Sequence, residues 1–156
     1  MVPREFFGMY LAANGFAIAV LLLAFLRPEA ARWTIVGVFA WACSMNTWTA
    51  LTAPEAYLNY AALTPSAAYR EFILGWFSRH IPLLVVSIAC GQAAIATLIA
   101  SPLPARRNLG AAGAWVFLFA IAPLGVGSGF PFSLTFSAAL YVALAPEPLA
   151  EWRKAA

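Results

Sequence analysis

Charged residues cut this chain into apolar runs long enough for membrane-spanning helices. Residues 6–26 carry no charge, and crossing a hydrocarbon core takes about 20 residues of helix. The run is about twice the length of a signal-peptide core. Arg27-Pro28-Glu29 follows it in place of a small-x-small cleavage site, so it reads as a retained membrane helix. Proline in a helix interior removes a hydrogen bond, so a break is expected at Pro28, inside a polar connection from Arg27 to Arg32. The second run covers 33–52, with Trp33 and Trp48 toward its ends, where interfacial aromatic belts lie. Its later half, Cys43-Ser44-Met45-Asn46-Thr47-Trp48-Thr49, is too polar for lipid and is expected to face protein.

Residues 53–80 are the only sizeable stretch outside the apolar runs. Thr64-Pro65 reads as an N-cap followed by proline at the first helical position. From there Tyr69, Phe72, Ile73, Trp76 and Phe77 recur at helical spacing, with Arg70, Glu71 and Ser78 on other faces. The pattern predicts an amphipathic helix at the membrane surface.

The third run, 81–101, has Pro82 in its first turn, where proline is tolerated. After the basic turn Pro104-Ala105-Arg106-Arg107, residues 109–145 hold no charge. One straight helix of that length would run about 55 Å, well beyond a core of about 30 Å. The prolines and glycines of Pro123-Leu124-Gly125-Val126-Gly127-Ser128-Gly129-Phe130-Pro131 place a tight turn there, giving spans at 109–124 and 130–145.

The predicted fold is therefore a single all-α membrane domain of five transmembrane helices, with an external loop at 53–80 that carries the interfacial helix. Four helices is the alternative. With five, Arg27, Arg32, Arg106, Arg107, Arg153 and Lys154 share one side against Arg4, Arg70 and Arg79. The positive-inside rule then puts the C-terminus in the cytoplasm. With four, the basic residues divide almost evenly and no orientation is preferred.

Composition agrees with this reading. The chain is 63% hydrophobic and 10% charged, where soluble domains carry about 25% charged residues. No water-soluble core could bury so much apolar surface, so the expected partner is the lipid bilayer. The net charge of +3 is scattered; no Lys/Arg run suits a nucleic acid, and nucleic-acid binding is not expected. Cys43 and Cys90 form no CxxC, and with one histidine they are too few to hold zinc. They read as small packing residues between helices. The glycines at 125–129 lack the preceding strand and following lysine of a phosphate loop. No acid falls inside a span, so a relay of buried carboxylates is not expected. A single histidine cannot ligate a haem from both faces within one chain, and both cysteines lie out of its reach for a catalytic triad. Catalysis is not indicated.

Chemical content gathers at the external face, in Arg70, Glu71, Trp76, Arg79 and His80, with Asn46 and Trp48 on the neighbouring span. Histidine at headgroup depth can hydrogen-bond a quinone carbonyl or take up its proton, with aromatic rings sandwiching the quinone. The same Arg79 and His80 can equally anchor a helix start in lipid headgroups. Asn46, Gln92 and Asn14 lie inside spans, where an unpaired amide is costly, so each should have a partner. Asn14 and Asn46 fall at similar depths and are expected to be able to face one another.

The layout of residues 33–146 resembles the DoxX-like family of small bacterial membrane proteins. The residues that carry the likeness are Gly91-Gln92, the turn Pro104-Ala105-Arg106-Arg107 and the Gly/Pro hairpin before the last helix. This chain adds a helix ahead of that pattern and has Gln92 where a glutamate is expected. The resemblance implies a subunit of the bacterial inner membrane, linked to quinone or thiol–sulfur redox chemistry. Three readings of function follow: an accessory redox subunit in a larger membrane complex, with a quinone-like ligand near His80; a small homo-oligomeric carrier or lipid-binding protein using Asn46 and Gln92; or a purely structural membrane subunit.

Overall fold

Prolines set where the helices begin. In the computed structural model, which describes residues 4–144 with side chains from Phe7 onward, α1 (Arg4–Leu26) and α2 (Pro28–Thr52) are separated by Arg27 alone. Pro28 occupies the first position of α2, where its missing N–H costs nothing. The polar connection expected through Arg32 is thus the first turn of α2. Arg32 is turned inward and is only 8% exposed. Its Nη1 donates to the carbonyls of Ile99 (3.0 Å) and Ala100 (3.4 Å), its guanidinium pairs with Glu29, and it lies 4.9 Å over the Trp33 ring. A cation there suits the negative end of the helix dipole of α5 (Ile81–Ala100).

Pro104 opens α6 (Pro104–Ile121) after a short turn. A Cβ on Gly110 would lie 2.9 Å from Ile99 and Leu98, so α5 and α6 touch backbone to backbone as they leave it. The chain then turns back through a 3-10 segment, Ala122–Ser128, into α7 (Phe132–Leu144). Gly125 and Gly129 adopt φ of +63° and +69°, conformations that side chains disfavour. The turn expected at 123–131 is therefore present. Position 145, Arg153 and Lys154 lie outside the described residues.

The described residues contain helices and no strand. α2 packs on α5, α5 on α6, α6 on α7 and α7 on α1, and α1 touches α2 about as extensively as α6 touches α7. The core joins Ile35 and Phe39 of α2, Ile99 of α5, Leu118 of α6, and Phe136 and Leu140 of α7. Buried alanines at 17, 96, 111, 114 and 139 let these helices approach closely, as in lipid, where packing rather than hydrophobicity drives association. Phe7–Leu26, Ile81–Ala100 and Pro104–Ser128 are long and apolar enough to cross a membrane, the marks of a membrane protein. α2 is longer but more polar, and α7 is short.

Residues 53–80 cover one end of the bundle. They form a 3-10 segment (Pro54–Asn59), α3 (Tyr60–Leu63), α4 (Ala67–Leu74) and a 3-10 turn (Phe77–Arg79). Ser66, and not Thr64, caps α4. Thr64 is instead buried, its Oγ1 donating to the Pro123 carbonyl at 2.6 Å. α4 also stops at Leu74 rather than continuing toward 80. Ile73 and Phe77 point inward onto Ala50, Ile81 and Val85.

Candidate ligand cleft

The residues singled out at the external face are not brought to one place. His80 stacks on Trp76, with ring centroids 4.3 Å apart, and its Nδ1 lies 2.8 Å from the Trp76 carbonyl. A carbonyl only accepts, so Nδ1 donates to it and Nε2 points away from that bond. Arg70 points elsewhere, donating to the carbonyls of Ala61 (3.1 Å) and Thr64 (3.2 Å), where it braces the cap. Glu71 and Arg79 are exposed, and Trp48 faces outward from α2.

Asn46 turns inward. Its Nδ2 donates to Gln92 Oε1 at 2.9 Å, and its Oδ1 accepts from Tyr57 Oη at 3.0 Å. The two amides that needed partners inside α2 and α5 therefore satisfy one another. Asn14 does not meet Asn46. Its Nδ2 donates to the carbonyls of Gly129 (2.8 Å) and Tyr10 (3.0 Å), because the 122–131 turn drops onto α1. Cys43 is half-buried, Cys90 faces outward, and both are free thiols.

A partly open cleft of ≈ 930 Å³ lies between α1 and α2, roofed by the cap and by the 122–131 turn. Asn46 is the one expected site residue that lines it. Its apolar length follows α2 from Thr34 to Thr49, about 22 Å at 1.5 Å per residue. Met9 of α1 and Trp41 of α2 line the cleft and are each 64% exposed, so its rim opens sideways to the surroundings. Gly37 lies along its floor, and a Cβ there would meet nothing within 4 Å.

The roofed end is polar. Tyr57, Tyr60, Asn59, Thr49 and Ser128 line it. Burial raises the phenol of Tyr57; the neighbouring Tyr60 adds to this, and a hydrogen bond from Thr49 acts in the opposite direction. Burial alone raises that of Tyr60. The Tyr60 ring sits flush against Gly127, where a Cβ would collide with it. Two further bonds hold the roof, Thr64 to Pro123 and Tyr69 Oη to the Ala120 carbonyl at 2.7 Å.

Sequence reasoning pointed to Asn46 through its depth in an apolar run, but not to Tyr57, Tyr60 or Gly37. Tyrosines in a loop and a glycine in a helix carry no signal of a shared wall until the cleft between α1 and α2 is in place. Neither family models, curated proteins nor solved structures match this chain, so its activity must be read from its own residues.

Proposed function

We propose that this chain is a five-span membrane protein that binds a lipid-like molecule in the cleft between α1 and α2, with its cap lying at the outer membrane face. The observation that carries the reading is an apolar cleft of ≈ 930 Å³, near the upper end of ligand-pocket sizes, open at its rim and polar mainly under the roof. An amphiphile matches that division, with its tail along Val38 and Met45 and its head under Tyr57 and Tyr60. α2 completes the set of spans: Asn46 pairs with Gln92, Thr34 and Thr49 line the cleft, and the exposed Ser44 and Thr52 return their hydroxyls to the Ala40 and Trp48 carbonyls of their own helix. The basic residues Arg27, Arg32, Arg106 and Arg107 favour the opposite end of the bundle as the cytoplasmic one.

The test is mass spectrometry of lipids that co-purify in mild detergent, with Gly37→Leu as the blocking variant. A Cβ at 37 meets nothing within 4 Å, so a leucine projects into the cleft from its floor, and it is the better helix former. A stoichiometric lipid present in the native protein and absent from Gly37→Leu supports the reading. A lipid profile identical in both overturns it.

A second reading, a quinone-linked redox subunit of the bacterial inner membrane, draws on the Trp76–His80 stack with its open Nε2 and on the DoxX-like resemblance. His80→Ala should then abolish quinone-dependent electron transfer while leaving the cleft lipid in place. Unchanged transfer in a folded variant removes this reading.

A further inference from the structure

We propose that the cleft ligand is an uncharged lipid whose head carries hydrogen-bond acceptors, and that Tyr60 is the donor that holds it. The inference rests on the lipid-cleft reading above and adds to it the chemistry of the head group.

Charge argues first. Among the described residues, no Asp, Glu, Lys, Arg or His lines the cleft. A phosphate or carboxylate drawn under the roof would lose water and meet no cation, a costly exchange. The roofed end also lies at the last turn of α2, whose free carbonyls carry partial negative charge and disfavour an anion further. With no carboxylate to pair it, an ammonium head is equally unsuited.

Hydrogen-bond capacity argues second and names the residue. Tyr57 gives its proton to Asn46, Asn46 gives its amide to Gln92, and Ser128 Oγ is bonded to the Gly125 carbonyl at 3.0 Å. Thr49 bonds Tyr57 and Asn59 is exposed, while the Tyr60 hydroxyl has no hydrogen-bond partner among the described residues. Its ring is held against Gly127 and lies 6.1 Å from the Tyr57 ring, so the hydroxyl is positioned before any ligand arrives. The half-buried hydroxyl, engaged by no protein group, is free to donate into the cleft, and a ring carbonyl or an ester oxygen would accept. A prenylated quinone and a diacylglycerol share this chemistry.

The experiment titrates the full-length protein in nanodiscs with four probes: a short-tailed prenylbenzoquinone, a dioleoylglycerol, a phosphatidylglycerol and oleate. It compares the native chain with Tyr60→Phe and Gly37→Leu. Phenylalanine keeps the ring against Gly127 and loses only the hydroxyl. The expected result is that one or both neutral probes bind, that Gly37→Leu abolishes this binding, and that Tyr60→Phe weakens it by about threefold to tenfold. Whichever neutral probe binds more tightly identifies the source.

If phosphatidylglycerol or oleate binds as tightly as the neutral probes, and Gly37→Leu blocks it, the uncharged-head inference falls while the lipid cleft stands. Unchanged neutral-probe affinity in Tyr60→Phe removes Tyr60 as the donor. If no probe responds to Gly37→Leu, the cleft reading and this inference fall together. So they do if the native chain forms a dimer, free of lipid, that Gly37→Leu dissociates; the cleft would then hold a second copy.

Discussion

Asn46 of α2 and Gln92 of α5 share a hydrogen bond of 2.9 Å, Nδ2 to Oε1, at a position where Gln92 is only 1% exposed. The bond joins the two most extensively packed helices and continues through Tyr57 into the roof of the cleft. One contact thus links the bundle interior to the candidate site, and its removal should be felt in both.

Asn46→Ala leaves the Gln92 oxygen without its donor and should lower stability by about 1–2 kcal/mol. The paired change Asn46→Leu with Gln92→Leu removes both polar groups and should cost less than the sum of the two single leucine variants. Thermal unfolding in detergent, read as a double-mutant cycle, checks this. Additive losses would show that the two amides are not coupled.

Two glycines make opposite predictions. Gly127→Ala drives a methyl into the Tyr60 ring and should destabilise the protein by about 1–3 kcal/mol. Gly37→Ala meets no neighbour inside α2 and should stabilise it by about 0.5–1 kcal/mol. Unfolding midpoints of the two variants in one detergent give the comparison.

Arg32→Met keeps the aliphatic bulk but loses the donors to the Ile99 and Ala100 carbonyls. A loss of about 2 kcal/mol is expected, with little dependence on salt, because the group is buried. A salt-sensitive or negligible loss would mean that Arg32 acts only as a surface charge.

The roof should weaken in alkali. Burial raises the pKa of Tyr60 above the unfolded value of about 10. Its contribution is therefore fully present below pH ~10 and is lost as pH rises through the raised folded value. Ultraviolet titration of tyrosinate should show two late-titrating phenols, and Tyr60→Phe should remove one and leave that of Tyr57. Titration of every tyrosine near the ordinary value would contradict the burial.

Much of the helical layout was legible along the chain. Pro28, Pro82 and Pro104 mark helix starts because proline lacks the N–H that a helix interior needs, and the glycines at 125 and 129 mark the turn because only they tolerate its backbone. Local rules also misled. Thr64 has the chemistry of an N-cap, yet the Pro123 carbonyl engages its hydroxyl from another part of the chain, and Ser66 takes the cap. Depth alone pointed to a meeting of Asn14 with Asn46, whereas each found a nearer partner, in Gly129 and Gln92 respectively.

What the sequence by itself determined is the set of apolar helices, their breaks and the need for every amide inside them to be paired. These follow from backbone hydrogen bonding and from transfer into lipid, which act residue by residue. Only the tertiary structure decided which amides pair, that Arg32 turns inward, and that a cleft lies between α1 and α2 with Tyr60 at its roofed end. A gap between helices depends on how their faces are rotated and spaced, and no single residue records that.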